Sequence, residues 1–362
     1  MAALLSTYTE SRDNNFNLLR FLAAGLVLVA HSYPLTGTEG EPRFGGFTLG
    51  HVAVDIFFIT SGFLVTRSLI TRENVPAFTW ARIVRIFPAL IVAVLLCAFG
   101  VGLAFTSLST GEFLGDSRVY TFIAKNSALV LGHIQYDLPG VFTNNPYPDA
   151  VNGSLWTLPW EIRMYAILGA IGILALLFRK DRRTPLLQLI VFCLGATALI
   201  ATCINHYFPF LDNDSHGHGL RLMAFFFMGG AHYVIRNHFK LSHGQAAGIA
   251  FALAVGVLDD SKFFYLIYTT WLPYLILYLA YIPGGPLRLF NKLGDYSYGL
   301  YIYAFPVQQI VAHLKPGVGV WEMFCTATAA TLILSIASWY LLEKPMLRKK
   351  DAYRRFVPAA WR

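Results

Sequence analysis

Charge is what this sequence has least of. Lys, Arg, Asp and Glu make up 13% of its 362 residues, against about 25% in an ordinary soluble chain. So little charge excludes a water-soluble globular protein and calls for an apolar solvent. Cysteine is just as sparse. Cys97, Cys193, Cys203 and Cys325 lie within or at the edge of apolar stretches and form no CxxC pair, which leaves them as small buried hydrophobes. Acidic residues are outnumbered, 20 against 28 basic ones, for a net charge of +8. The basic residues sit in short loops between apolar runs rather than on one soluble face, which excludes a nucleic-acid partner. No internal repeat, low-complexity tract or soluble domain is legible. No cleavage site follows the first apolar run, so that run is expected to remain as a membrane helix.

What is present in abundance is apolar sequence: 56% of the chain is hydrophobic. Runs near the ~20 residues that a helix needs to cross a bilayer recur over 16–33, 50–70, 86–107, 154–178, 185–204, 219–236, 245–258, 263–282, 297–314 and 319–342. A shorter run at 119–132 is expected to pack at the interface. The chain therefore reads as an all-α polytopic membrane protein of about ten transmembrane helices in one domain, 1–362. Basic residues follow every even-numbered span: Arg72, Arg82 and Arg85; Arg179, Lys180, Arg182 and Arg183; Arg236 and Lys240; Arg288 and Lys292; then Arg348, Lys349, Lys350, Arg354 and Arg355. The alternate loops are acidic or neutral. By the positive-inside rule both termini are cytoplasmic.

The first span carries an ionisable group at each end, Arg20-FLAAGLVLVA-His31. Eleven residues are three helical turns, so Arg20 and His31 share a face, roughly 16 Å apart along the axis. Burying either in lipid costs about 2.5 kcal/mol or more, so that face should turn into the protein or a wet cavity. Other spans add to it. The second supplies His51 and Asp55, an i,i+4 pair near the outer side, and then Ser61. The fourth, entered from outside, supplies Glu161 about two turns deep, near Trp156, Trp160 and Tyr165. Carboxylates and imidazoles are thus expected in the outer half and arginines in the inner half. A histidine can take a proton from a hydroxyl while a carboxylate steadies the imidazolium. Arginines suit phosphates, because their planar fork binds two oxygens at once. An acyl-CoA matches both ends, with phosphates at the cytoplasmic mouth and a long arm carrying the thioester toward His31.

At this point the chain resembles a known family, the acyltransferase-3 membrane proteins. Arg20 and His31 separated by ten residues in the first span carry the resemblance. So do GHVAVDIFFITSGFLV (50–65), ARIVRIFPAL (81–90), SLWTLPWEIRMY (154–165), DYSYGLYIYAFPV (295–307) and SWYLLEKPMLR (338–348), in the family's order. The resemblance implies O-acylation of a glycan or similar acceptor at the outer side of a bacterial inner membrane, by cytoplasmic acyl-CoA, usually acetyl-CoA. It also implies that His31 is the essential histidine and Arg20 its partner. Arg82 and Arg85 match the basic motif, Ser61 lies in the SGFL element and Glu161 in the SLWxLxxE element. Two features depart from common members. Ala304-Phe305-Pro306 stands where many have a histidine before the proline, so no catalysis is assigned there. The extracellular domain fused to some members is not expected, which leaves open transfer through a separate extracellular partner.

The site expectation is therefore His31, Glu161 and Asp55 as catalytic groups, with Arg20, Arg82, Arg85 and Ser61 on the donor. Ordinary readings stand beside these. Arg20 could instead form a buried salt bridge to Glu161 or Asp55. Arg82 and Arg85 could be orientation charges, Glu161 a structural group, and Ser61 a small packing residue. The loop DNDSHGHG (212–219) has two histidines one residue apart but no fixed tetrahedral geometry, so no metal is expected. The tail LRKKDAYRR is read as an anionic-lipid contact. Buried His, Arg and Glu would also suit a proton-coupled exporter or other secondary transporter, although paired repeats and matching broken helices are missing.

Overall fold

The computed structural model describes residues 3–11, 13–72, 74–129, 133–211, 215–258, 263–350 and 352. Ten long helices stand out among them: α1 Phe16–Leu35, α2 Leu49–Arg72, α3 Val75–Phe105, α4 Gly153–Ala175, α5 Lys180–Tyr207, α6 Ser215–Val234, α7 His243–Leu258, α8 Phe264–Tyr281, α9 Ser297–Leu314 and α10 Val320–Arg348. Each falls on one of the apolar runs. Seven of them (α1 to α5, α8 and α10) are long and apolar enough to cross a membrane, so this is a multi-pass, all-α membrane protein. Helices α6 and α9 are diluted by histidine, arginine or glutamine, and α7 has 16 residues. The strands are two-residue pairs, such as Arg43–Phe44 with Phe47–Thr48 around Gly45 at φ 58°.

Helix α3 departs from the sequence expectation. Its start is not 86 but Val75, because the Asn74 side chain accepts from Ala77 N and Pro76 sits in the first turn, two strong start signals. Arg82 and Arg85, expected in the loop after the second span, are therefore residues of a helix. Helix α10 likewise runs past 342 to Arg348, through a π-helical turn at Trp339–Glu343. A π turn shifts the register of the side chains after it, and Glu343 at its end is buried. The expected interfacial run forms the helix Ser117–Ala128, which buries Val119, Phe122 and Asn126 from one face; its last residues, 130–132, lie outside the described residues. So do 212–214 of the histidine-containing loop, and residues 351 and 353–362 of the basic tail.

Helix α9 is buried over most of its length. Every residue from Ser297 to Gln309 is buried, and α9 packs on α1 and α10. A helix buried all round must satisfy its polar groups internally. Gln308 Nε2 donates to Leu28 O at 2.9 Å and Ser32 Oγ at 2.9 Å, tying α9 to α1. Gln309 Nε2 donates to Tyr147 O at 2.8 Å and Ala150 O at 2.6 Å, and Asn152 Nδ2 to Ile302 O at 2.9 Å. These bonds clamp the end of the long loop after α3 across the bundle.

A second group packs through glycine. A Cβ added at Gly62 on α2 would lie 1.8 Å from the Phe226 carbonyl oxygen on α6, and one at Gly229 on α6 would lie 2.2 Å from the Ile59 oxygen on α2. Backbones this close exclude any side chain, the usual device for helix association in a membrane. Gly62→Ala should therefore push α2 from α6 at a cost of about 1–3 kcal/mol, read as a lower melting temperature of the purified protein in detergent. Gly25→Ala, whose Cβ meets nothing within 4 Å, should leave that midpoint unchanged or raise it. Equal midpoints for the two variants would contradict this packing.

Candidate active site

Four helix ends meet at one end of the bundle. Arg20 near the start of α1 and Arg85 in the first half of α3 both reach Asp295, two residues before α9. The Arg20 Nη1–Asp295 Oδ2 distance is 3.2 Å and the Arg85 Nη2–Asp295 Oδ2 distance 2.5 Å. Arg85 Nη1 also lies 3.3 Å from Glu343 Oε2 at the π turn of α10. The carboxylates are held in turn, Asp295 Oδ1 by Ser297 Oγ at 2.5 Å and Glu343 Oε1 by Ser338 Oγ at 3.1 Å. Two guanidiniums and two carboxyl groups thus form one connected cluster. It stays reachable, since the Arg20 side chain is 21% exposed.

Above this cluster lies a cavity of about 40 Å³, lined by Arg20, Ser61, Thr157, Glu161, Tyr298 and Tyr301 among others. That is room for about three waters at roughly 10–15 Å³ each. The Ser61 hydroxyl lies 2.9 Å from the Tyr165 hydroxyl and donates to Glu161 Oε1 at 3.3 Å, and Tyr165 donates to the same carboxylate oxygen. Glu161 and Tyr165 are i,i+4 on α4, hence on one face. The Tyr301 hydroxyl is 2.7 Å from Thr157 Oγ1 and donates to Ser154 O at 2.8 Å. Tyr298, Tyr301 and Phe305 recur on one face of α9 at i, i+3 and i+7. Phe305 ends this row against His31, with ring centroids 5.2 Å apart. His31 Nδ1 is buried and has no hydrogen-bond partner. One face of α9 therefore runs from the arginine cluster past the cavity to the histidine.

The sequence expectation is met unevenly. Arg20, Ser61 and Glu161 do share a cavity, and Arg85 joins Arg20 through Asp295. Arg20 pairs with Asp295 rather than with Glu161 or Asp55. Arg82 diverges from Arg85: its Cζ lies 5.7 Å from the Tyr165 ring centroid, and it lines a mostly apolar groove of about 320 Å³ between α3 and α4. Its Nε is buried without a partner. Asp55 is fully buried and spends its carboxylate elsewhere, with Oδ1 on Arg221 Nη1 and Oδ2 accepting from Tyr268 at 2.8 Å. Its i,i+4 neighbour His51 contacts Thr48 instead. Asp295, Glu343, Arg221 and Tyr268 were not singled out from sequence. The first two stand in the quoted stretches DYSYGLYIYAFPV and SWYLLEKPMLR, and an acid inside an apolar run was the available signal. The expected segregation of carboxylates outward fails for the same reason, because two of them pair with the inner arginines. Among the described residues, no group of three or more His, Cys, Asp or Glu is placed to hold a metal ion.

A family model described as an acyltransferase domain matches residues 13–343. An O-acetyl transferase of Shigella phage Sf6 is 28% identical over 348 residues, covering 94% of this chain and 98% of that protein. Nodulation protein 10 of Rhizobium leguminosarum bv. viciae is 27% identical, over 95% of this chain and 96% of its own. Exopolysaccharide production protein ExoZ of Rhizobium meliloti (strain 1021) is 25% identical, over 85% and 93%. No solved structure matches the chain.

Proposed function

The chain belongs to the acyltransferase-3 family of membrane acyltransferases, and from that premise we propose that it moves an acetyl group from cytoplasmic acetyl-CoA to a hydroxyl of a glycan at the outer side of a bacterial inner membrane. The observation that carries this reading is the single face of α9 linking the Arg20–Asp295–Arg85 cluster to a histidine with an unbonded ring nitrogen. The basic loops orient that cluster toward the cytoplasm. There Arg20 and Arg85 present guanidinium donors to the donor's phosphates, and Asp295 fixes both forks in place. The small cavity beside Ser61 and Glu161 favours a short acyl group.

His31 acts as the general base. It takes the proton of the attacking hydroxyl as the new C–O bond forms. When the C–S bond breaks, the imidazolium returns that proton to the departing thiolate, so that free CoA leaves. No carboxylate orients this imidazole among the described residues. Glu161 is therefore assigned to holding the Ser61 and Tyr165 hydroxyls on the cavity wall, and Asp55 to the ion pair between α2 and α6. Arg82, on its apolar groove, would meet the donor only from the membrane side.

The test is transfer of label from acetyl-CoA to a panel of glycans by the purified protein in liposomes. Labelled glycan with stoichiometric free CoA supports the reading. Glycan movement across the bilayer without CoA would replace it with transport.

A further inference from the structure

A second pocket lies at the opposite end of the bundle, and nothing above uses it. It encloses about 380 Å³ where α2, α6 and α8 begin and α5 and α7 end. That is the low end of the size range of small-molecule sites. Its polar lining is His51, His206, His218, Arg221 and the Tyr265 hydroxyl; its aromatic lining includes Phe47 and the Tyr265 ring. The rings are stacked in place. His51 and His218 have centroids 5.2 Å apart, and His206 and Tyr265 3.6 Å apart.

Arg221 is the informative group. It is 5% exposed, and its Cζ sits 5.7 Å from the Phe47 ring centroid. Nη1 is spent on Asp55, whose other oxygen is taken by Tyr268. Nη2 is buried, has no hydrogen-bond partner and belongs to a residue that lines the pocket. A guanidinium donor left unmatched in an apolar bundle is costly unless a ligand completes it. The lining contains one guanidinium and three imidazoles but no carboxylate or amide side chain. The imidazoles and the Tyr265 hydroxyl can each accept as well as donate and so suit sugar hydroxyls, whereas the guanidinium only donates. An anionic oxygen needs only donors, which is what Arg221 offers, and flat aromatic walls suit a sugar ring beside it.

We infer that this pocket binds an acidic sugar unit of the acceptor, with the carboxylate or phosphate on the Arg221 guanidinium and the ring against the aromatic wall. This rests on the acyl-transfer reading for the identity of the ligand as acceptor, but binding can be measured with no acyl donor present. Val54, Phe57, Phe58 and Ser61 of α2 line the inner cavity while His51 of the same helix lines this pocket. One helix therefore separates the acidic sugar from the cavity assigned to the acyl group.

The experiment is calorimetric titration of the purified full-length protein with methyl glucuronide, glucose 6-phosphate and neutral methyl glucoside. R221K keeps a cation for Asp55 but removes the second prong of the fork. H218F keeps the ring stack but removes its nitrogens. The acidic sugars should bind and the neutral one should not, with whichever acid binds more tightly identifying the anion. R221K should weaken acid binding by about tenfold or more, the size of one charge-assisted bond, and H218F should weaken it less. Equal binding of neutral and acidic sugars, no binding of either acid, or unchanged affinity in both variants would overturn the inference. Absence of acyl transfer with acid binding intact would instead count against the acyl-transfer reading alone.

Discussion

Replacing His31 with alanine should lower acyl transfer by about 10²–10⁴-fold, the usual contribution of a positioned general base, while the protein stays folded. The ring contacts Phe305 and its Nδ1 makes no hydrogen bond, so truncation breaks no polar network. The loss should fall on kcat. The KM for acetyl-CoA should hold, because the Arg20–Asp295–Arg85 cluster lies about three turns away along α1. Initial rates of label transfer, beside a melting curve in the same detergent, separate the two effects. A variant that melts like the wild type and transfers at the wild-type rate would remove His31 from the chemistry. His31→Gln is the companion, since it restores much of the bulk but no base.

The second large effect should come from Asp295→Asn, a residue that sequence reasoning passed over. Its carboxylate serves Arg20 and Arg85 at once, with side chains 21% and 14% exposed. Removing one partner from a buried ion pair costs about 3–5 kcal/mol, because the remaining charge stays in a poor solvent. Glu343 still reaches Arg85, which places the expected loss toward the lower end and leaves Arg20 the more exposed to it. The melting midpoint in detergent should fall by several degrees, and the KM for acetyl-CoA should rise as the guanidinium forks lose their orientation. Asp116→Asn is the control. Asp116 pairs with the 57%-exposed Arg118 at the start of the helix Ser117–Ala128, where solvent screens the pair and asparagine caps the helix as well as aspartate does. Equal midpoints for the two variants would mean that Asp295 is dispensable to the cluster.

The membrane class and helix positions were legible in the chain, because apolar length and loop charge act locally and are read residue by residue. The shared face of Arg20 and His31 was legible for the same reason, being fixed by helical period alone. Boundaries failed where a local device was overlooked: the Asn74 cap and Pro76 begin α3 early and carry Arg82 and Arg85 into the helix. The pairings are a different matter. That Arg20 meets Asp295, that Asp55 meets Arg221, and that a π turn swings Glu343 onto Arg85 depend on partners separated by 166 residues or more. No period or spacing encodes such distances. By itself, then, the sequence determined a polytopic helical bundle with charges in its first span, since the bilayer imposes the length and composition of each segment independently. Only the tertiary structure decided which charges pair with one another and which donors remain unmatched, because that depends on how distant helices pack together, and in an apolar solvent an ion's energy is set by its nearest partner rather than by its own position.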